Sequence, residues 1–208
     1  MSHIDARLLG GAPAGTVGTA PTSRGNEVPH EIASAPQLVD RAFSFVDLCG
    51  FTRFTSDHGE QAAVDALQSF RALTRAIAMR RGVLVNKWLG DGALFVSPRV
   101  GATVAATAEL VARQQRQPLA LRAGMAHGQV LIIDGDDYVG RPANLAARLC
   151  QHAAPGELLA LALESDALPA WTRVVSTRRL TIRGIGKVPQ VQQIGLASGV
   201  ELPPLTGT

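Results

Sequence analysis

Two aspartates have the placement to hold a metal ion between them. Asp47 closes an apolar run, Ala42 to Asp47 (AFSFVD), and is followed by Leu48-Cys49-Gly50-Phe51-Thr52. Asp91 lies within Lys87-Trp88-Leu89-Gly90-Asp91-Gly92. If the apolar run is a strand beside a hairpin built on Asp91, the two carboxylates meet at one end of a sheet. Carboxylates at close range repel unless a cation neutralises them. Hard oxygen donors of this kind suit Mg2+ or Mn2+ held jointly with substrate phosphates. Each aspartate also has a plainer reading, Asp47 as a cap for the following turn and Asp91 as an ordinary turn residue. The turn after Asp47 offers backbone N–H groups at Cys49, Gly50, Phe51 and Thr52 ahead of a helix start, which can cradle a phosphate. It is not a Walker-type loop, because no Gly-rich run ends in Gly-Lys-Ser or Gly-Lys-Thr.

A third segment runs from Asp137 through Tyr138-Val139-Gly140-Arg141-Pro142-Ala143 to Asn144 and Arg148. Asn144 and Arg148 are four residues apart and share one helix face. Arg148 could support negative charge on a phosphorus centre. The plainer alternative is a surface arginine following an asparagine helix cap.

The elements that must hold these residues follow from periodicity. Gly50 to Ser56 reads as a tight turn into a short helix. From Glu60 to Met79, Val64, Leu67, Phe70, Leu73 and Ile77 recur at spacings of three and four, an amphipathic helix that Gly82 ends. Val83 to Lys87 and Ala93 to Val96 read as strands joined at Gly90-Asp91-Gly92, a hairpin signal. A second helix spans about Val100 to Gln115 and stops before Pro118. Leu119 to Ala126 and Gln129 to Ile133 read as two strands parted by Gly128, and Asp134 to Asp137 as a loop. A helix over Asn144 to His152 closes at Pro155-Gly156. A mixed region ends in strands near Val174 to Ile182 and Val191 to Ile194. The order predicts an α/β (α+β) fold, a ferredoxin-like βαββαβ core with additional C-terminal elements.

Composition frames this core. Residues 1–36 are rich in Gly, Ala, Pro, Ser and Thr and read as a disordered N-terminal tail. The folded domain is expected over 37–200, and 201–208 reads as a flexible tail. The net charge of +3 in 208 residues is a mild excess that a solvated surface explains. The basic stretch Arg173, Arg178, Arg179, Arg183 and Lys187 has no aromatic neighbour beyond Trp171, so no nucleic-acid surface is indicated. Cys49 and Cys150 belong to no CxxC pair or Cys/His cluster and read as reduced thiols. No apolar stretch approaches the ~20 residues of a membrane helix. The start, MSHIDARLLGG, carries acidic Asp5 and no long apolar run, so no signal peptide is expected there. A cytoplasmic location is expected.

Four segments occur in order: Phe45 to Thr52, Lys87 to Gly92, Leu121-Arg122-Ala123-Gly124-Met125-Ala126-His127-Gly128, and Asp137 to Arg148, followed by Leu180-Thr181-Ile182-Arg183-Gly184. Together they resemble the catalytic domain of the class III adenylyl and guanylyl cyclases, over roughly residues 40–195. The resemblance implies roles residue by residue. Asp47 and Asp91 match the metal-binding aspartates, implying Mg2+ or Mn2+, two per site. Lys87 matches the lysine that recognises adenine, and Asp137 its aspartate partner. Asn144 matches the residue that orients the ribose, Arg148 the arginine that stabilises the transition state, and Arg122 a basic residue reaching the terminal phosphates. Lys87 with Asp137 is the adenine-type choice, where guanylyl members typically carry Glu and Cys. The implied function is an adenylate cyclase turning ATP into cyclic AMP and pyrophosphate in a homodimer with two composite sites. The alternatives are a guanylate or mixed-specificity cyclase, or a silent regulatory nucleotide-binding domain. This chain departs from the common pattern in a short Gly128–Asp137 stretch, in Ala126-His127 for the usual His-Thr, and in Arg141-Pro142 beside the asparagine helix.

Overall fold

A near-continuous apolar run, whose side chains alternate between the two faces of a strand, lets one strand serve two cores. A computed structural model describes residues 37–133 and 137–205 of the chain; the expected N-terminal tail and residues 134–136 lie outside the described residues. Strand β1, Gln37–Leu48, turns Ala42, Val46 and Leu48 to one face and Phe43 and Phe45 to the other. Asp47, one step past Val46, therefore lies on the Phe43 face. Helix α1 spans Phe51–Arg81, and the hairpin β2 (Leu84–Leu89) and β3 (Gly92–Ser97) follows. Helix α2 is Val100–Gln114 and strand β4 is Leu121–Ile133. After β5 (Asp137–Val139) come helix α3 (Arg141–His152), β6 (Leu158–Leu161), β7 (Thr172–Ile182) and β8 (Gly186–Leu196). The strands form a single mixed sheet in the order β2-β3-β1-β4-β6-β8-β7, with β5 paired to β4. Its first four strands have the order expected of a βαββαβ core, and β6 to β8 extend it.

Several boundaries differ from the sequence reading for physical reasons. The short helix after Asp47 and the amphipathic helix are one element, kinked at Gly59, where φ is 84° and ψ 168°. Val64, assigned to the apolar face, stays 45% exposed. The two strands expected around Gly128 are one, because Gly128 remains in register opposite Arg41. Asp137 begins a strand rather than ending a loop. α3 starts at Arg141, three residues before Asn144, with Pro142 in its first turn. Asn144 is therefore inside the helix and is not its cap. β6 is four residues of fully apolar sequence, too short to show a period, and it lies parallel to β4.

Two contacts fix the layers. Gly124 of β4 lies under α3: a Cβ there would stand 2.0 Å from the Cys150 nitrogen and 2.3 Å from the Ala146 oxygen. Only a residue without a side chain lets the helix backbone sit this close. On the other face, Glu109 of α2 is fully buried and accepts from Arg81 at 2.7 and 3.0 Å, from Arg113 at 2.8 Å, and from Arg80. Burial alone would raise the Glu109 carboxyl, but the hydrogen bonds from Arg81, Arg113 and Arg80 outweigh it and hold it below the usual carboxylate range. Arg113 continues to the Pro203 carbonyl, and Leu205 packs against the same core.

Glu109→Ala leaves three guanidinium groups without their shared anion. The expected cost is about 3–5 kcal/mol, read as a lower urea midpoint. The sign in acid follows from the depressed folded value. Glu109 stabilises the fold above the unfolded carboxyl's titration, near pH ~4, and that share is lost as pH falls through its lower folded value. An unchanged urea midpoint in the alanine variant would show that the three arginines are already satisfied by water.

Candidate active site

The site is built at the end of β1. In the sheet, Asp47 stands opposite Gly92 of β3 on one side and Arg122 of β4 on the other. Gly92 is needed there, since a Cβ would come within 2.6 Å of the Val46 carbonyl oxygen. Arg122 donates to a single Asp47 oxygen, Oδ2, from Nε at 2.9 Å and from Nη2 at 2.7 Å. This cross-strand pair is about one-third exposed. The Asp47 hydrogen bonds push the Arg122 guanidinium above its ordinary value. Asp91 is brought to the same corner by the hairpin turn, where its carbonyl accepts the Leu48 N–H at 3.2 Å. Burial raises the Asp91 carboxyl above the usual range and the nearby Asp47 charge adds to this, against a lowering from its backbone hydrogen bond and Arg122.

The helix start behind Asp47 keeps only part of its expected donor set. The Cys49 N–H is committed to the Ala120 carbonyl at 2.8 Å, so Cys49 is withdrawn from the phosphate cradle. Gly50 has a left-handed φ of 76°, which turns the chain sharply into α1. The N–H groups of Gly50, Phe51 and Thr52 precede or begin the first turn, where no intrahelical acceptor exists. A cleft of about 340 Å³ opens beside Asp47, lined also by Arg122, Gly92, Ala147 and Gln151.

Lys87 and Asp137 form an ion pair, although 50 residues separate them in sequence. Hairpin register explains the placement. Leu89, Trp88 and Lys87 pair in turn with Gly92, Ala93 and Leu94, which sets Lys87 on the α3 face and Trp88 on the α1 face. A β-bulge between Val85 and Lys87 then returns Val85 to the core side. Asn144 and Arg148 are exposed on one stripe of α3, whose opposite side buries Leu145, Ala146, Leu149 and Cys150. Arg148 donates to the Gln151 side chain at 3.1 Å. Neither Asn144 nor Arg148 lines the Asp47 cleft. Within one chain the fold thus gathers Asp47, Asp91 and Arg122, separately joins Lys87 to Asp137, and leaves the Asn144–Arg148 stripe facing outward.

The donor set can be tested for a metal. Among the described residues, no three His, Cys, Asp or Glu side chains group closely enough to hold a cation alone. Two carboxylates at one corner, with Asp91 held above the usual range by burial and then by the Asp47 charge, fit a hard divalent cation whose remaining ligands are phosphate oxygens. The cysteines do not compete for that role. Both are free, and burial pushes the Cys150 thiol up to about 12 and chiefly raises Cys49 too.

Two residues near the site escaped the sequence reading. Arg71 and Arg75 of α1 both stack on Trp88, at 5.2 and 5.1 Å from the ring centroid. Their spacing of four on one helix face was the available signal. Among the described residues no helix is long and apolar enough to cross a membrane.

No family model matches the chain. An uncharacterized protein of Mycobacterium tuberculosis is 37% identical over 155 residues, 74% of this chain and 40% of that protein. The adenylate cyclase of Glutamicibacter nicotianae is 30% identical over 172 residues, 80% of this chain and 42% of that protein. The chain thus spans about two-fifths of the length of these curated relatives. Among solved structures, the adenylyl cyclase CyaB from P. aeruginosa superposes with a TM-score of 0.66 at 20% identity, covering 83% of this chain and 100% of that one. The guanylate cyclase domain of RhGC from Catenaria anguillulae, in complex with GTP, gives 0.65 at 17% identity, covering 77% and 98%.

Proposed function

We infer, from the premise that this chain belongs to the class III adenylyl/guanylyl cyclase catalytic-domain superfamily, that it is an adenylate cyclase acting as a homodimer. The family and the nucleotidyl-cyclase fold are the premise; ATP as substrate, the residue roles and the shared site are the inference. The observation that carries the choice of ATP is the Lys87–Asp137 pair. Adenine presents an amino donor beside a ring acceptor, which a carboxylate and an ammonium complement. Guanine places a carbonyl where adenine has its amino group.

In this reading Asp47 and Asp91 hold Mg2+ or Mn2+, two per site, together with the triphosphate. Such a cation, when bound, supplies charge neutralisation and a more acidic ribose 3′-hydroxyl. Gly50, Phe51 and Thr52 orient phosphate oxygens through their N–H groups. Arg122 turns from Asp47 to the terminal phosphates. Asn144 of the partner chain orients the ribose, and its Arg148 donates to the oxygens of the α-phosphorus as charge builds there. The 3′-hydroxyl gives its proton to solvent water, its oxygen forms the new bond to that phosphorus, the bond from the phosphorus to the bridging oxygen breaks, and pyrophosphate leaves. No side chain is required as general base.

A second reading, a guanylate or mixed-specificity cyclase, is favoured by the nearly equal superposition on adenylyl and guanylyl enzymes. The deciding experiment is an assay of the purified chain with ATP and GTP in parallel, in Mg2+ and then Mn2+. Cyclic AMP as the dominant product supports the first reading, and cyclic GMP formed at an equal or higher rate supports the second. Turnover of neither points to the silent regulatory domain. Base reading has its own check. Lys87→Glu combined with Asp137→Cys is expected to lower kcat/KM for ATP at least about a hundredfold, because the adenine edge loses both matched partners. Unchanged ATP kinetics would show that these side chains do not read the base.

A further inference from the structure

The β2–β3 hairpin carries Lys87 on one face and Asp91 at its tip, and it is gripped from its other face by α1. Trp88 inserts between the helix and the hairpin, meeting Phe70 edge-on at 6.2 Å and carrying the guanidinium groups of Arg71 and Arg75 over its ring. The two arginines differ in one respect. Arg71 alone reaches past the indole, and its Nη2 donates to the Gly90 carbonyl at 3.3 Å. Gly90 is the residue before Asp91, in a left-handed turn with φ of 65°. The reach has a cost, because the Arg71 Nε is buried with no acceptor among the described residues. An arginine serving only as cover for Trp88 has no reason to bear an unsatisfied buried donor when Arg75 already covers the ring.

We propose that Arg71 is a positioning residue for Asp91, holding the Gly90–Asp91 turn through the Gly90 carbonyl so that the carboxylate meets the cation with a fixed aim. This rests on the reading of Asp91 as a metal ligand. The hairpin tip otherwise rests on the Leu48 N–H to Asp91 carbonyl bond, on Leu89–Gly92 pairing across the turn and on the pairing of β3 with β1, and among the described residues none of these contacts ends on the Gly90 carbonyl. Groups that orient a metal ligand from behind commonly influence metal affinity by ten- to a hundredfold.

Arg75 supplies the internal control, since it shares the stacking on Trp88 and lacks the bond to Gly90. The test compares Arg71→Met, Arg75→Met, Arg71→Lys and Asp91→Ala with the wild-type chain. Mn2+ binding is followed by electron paramagnetic resonance in the presence of ATP, and ATP turnover is followed against Mn2+ concentration. Arg71→Met is expected to raise the half-saturating Mn2+ concentration in both measurements at least about tenfold. Arg75→Met is expected to stay within about twofold, with both variants matched in thermal midpoint to separate loosened packing from lost aim. Arg71→Lys, which keeps the charge but not the fork, should fall with Arg71→Met. Equal shifts in the Arg71→Met and Arg75→Met chains would reduce Arg71 to packing and overturn the proposal. So would an Arg71→Met chain that binds Mn2+ normally. Asp91→Ala tells the two layers apart. If it leaves Mn2+ binding untouched, the metal reading of Asp91 fails. If it abolishes binding while Arg71→Met does not weaken it, only the positioning role fails.

Discussion

Under the proposed cyclase activity, Asp91→Ala is expected to lower turnover at least about a thousandfold, and Asp47→Ala to do the same. Each aspartate contributes one of only two carboxylates at the corner where β1 meets the hairpin, and no third acid, thiol or imidazole groups with them among the described residues. Loss of either removes a donor that nothing nearby replaces. A thousandfold corresponds to about 4 kcal/mol of transition-state stabilisation, within the several kcal/mol that metal assistance supplies to phosphoryl chemistry. The fold tolerates the Asp91 change, because its contact with β1 runs through its backbone carbonyl to the Leu48 N–H. Asp91→Asn serves as the isosteric companion and should be nearly as damaged, since a neutral amide is a poor ligand for a hard cation. Measured turnover near the wild-type level in Asp91→Ala, with a normal thermal midpoint, would remove Asp91 from the metal site.

Under the proposed composite site, Asp47→Ala and Arg148→Ala are each expected to be inactive, and mixing them is expected to restore activity. The expectation comes from where the fold leaves the parts. Asp47 opens onto its own cleft, whereas Asn144 and Arg148 sit on an outward stripe of α3 that does not line it. With the proposed residue roles, one chain carries a full set of both halves, which is what a two-fold symmetric pair needs for two composite sites. In the mixed dimer one site combines both defects, and the other pairs an intact Asp47 with an intact Arg148. Activity should therefore return to as much as about half per mixed dimer. Subunit exchange is verified by differently tagged chains. Exchange without recovery would mean that each chain completes its own site.

The site's outline was readable because its residues sit where local rules are strong. Gly90-Asp91-Gly92 is a turn by composition alone, and the apolar run before Asp47 is a strand by composition alone. Once strand β1 lies beside the hairpin, opposition of Asp47 and Gly92 follows. The Lys87–Asp137 contact was expected only from resemblance, since no local rule joins β2 to a three-residue strand hung on the far end of β4. Backbone commitments were invisible for a related reason. Cys49 loses its N–H to Ala120, just ahead of β4, and only the three-dimensional path of the chain reveals this. β6 was missed because four apolar residues carry no period, and the merged helix because a glycine kink imitates an end. The burial of Glu109 in α2 depends on three arginines supplied by two helices, a dependence that no local pattern in α2 announces.

If Lys87 and Asp137 read the base as proposed, their ion pair makes each residue the other's stand-in ligand until a base arrives. An incoming ring competes with a partner that is already tethered in place. Displacing that partner is inexpensive, since both side chains are largely open to water and solvent screens their attraction. The contest is decided by the contacts each charge holds once the pair has parted. A ring that offers an acceptor to the lysine and a donor to the aspartate leaves neither charge idle. A ring that satisfies one and faces the other with a like group leaves the pair better off with each other, and it is expelled by re-closure. Selectivity built this way demands no rigid lock and rests on the matched contacts a ring offers to both charges rather than on the strength of the resting pair.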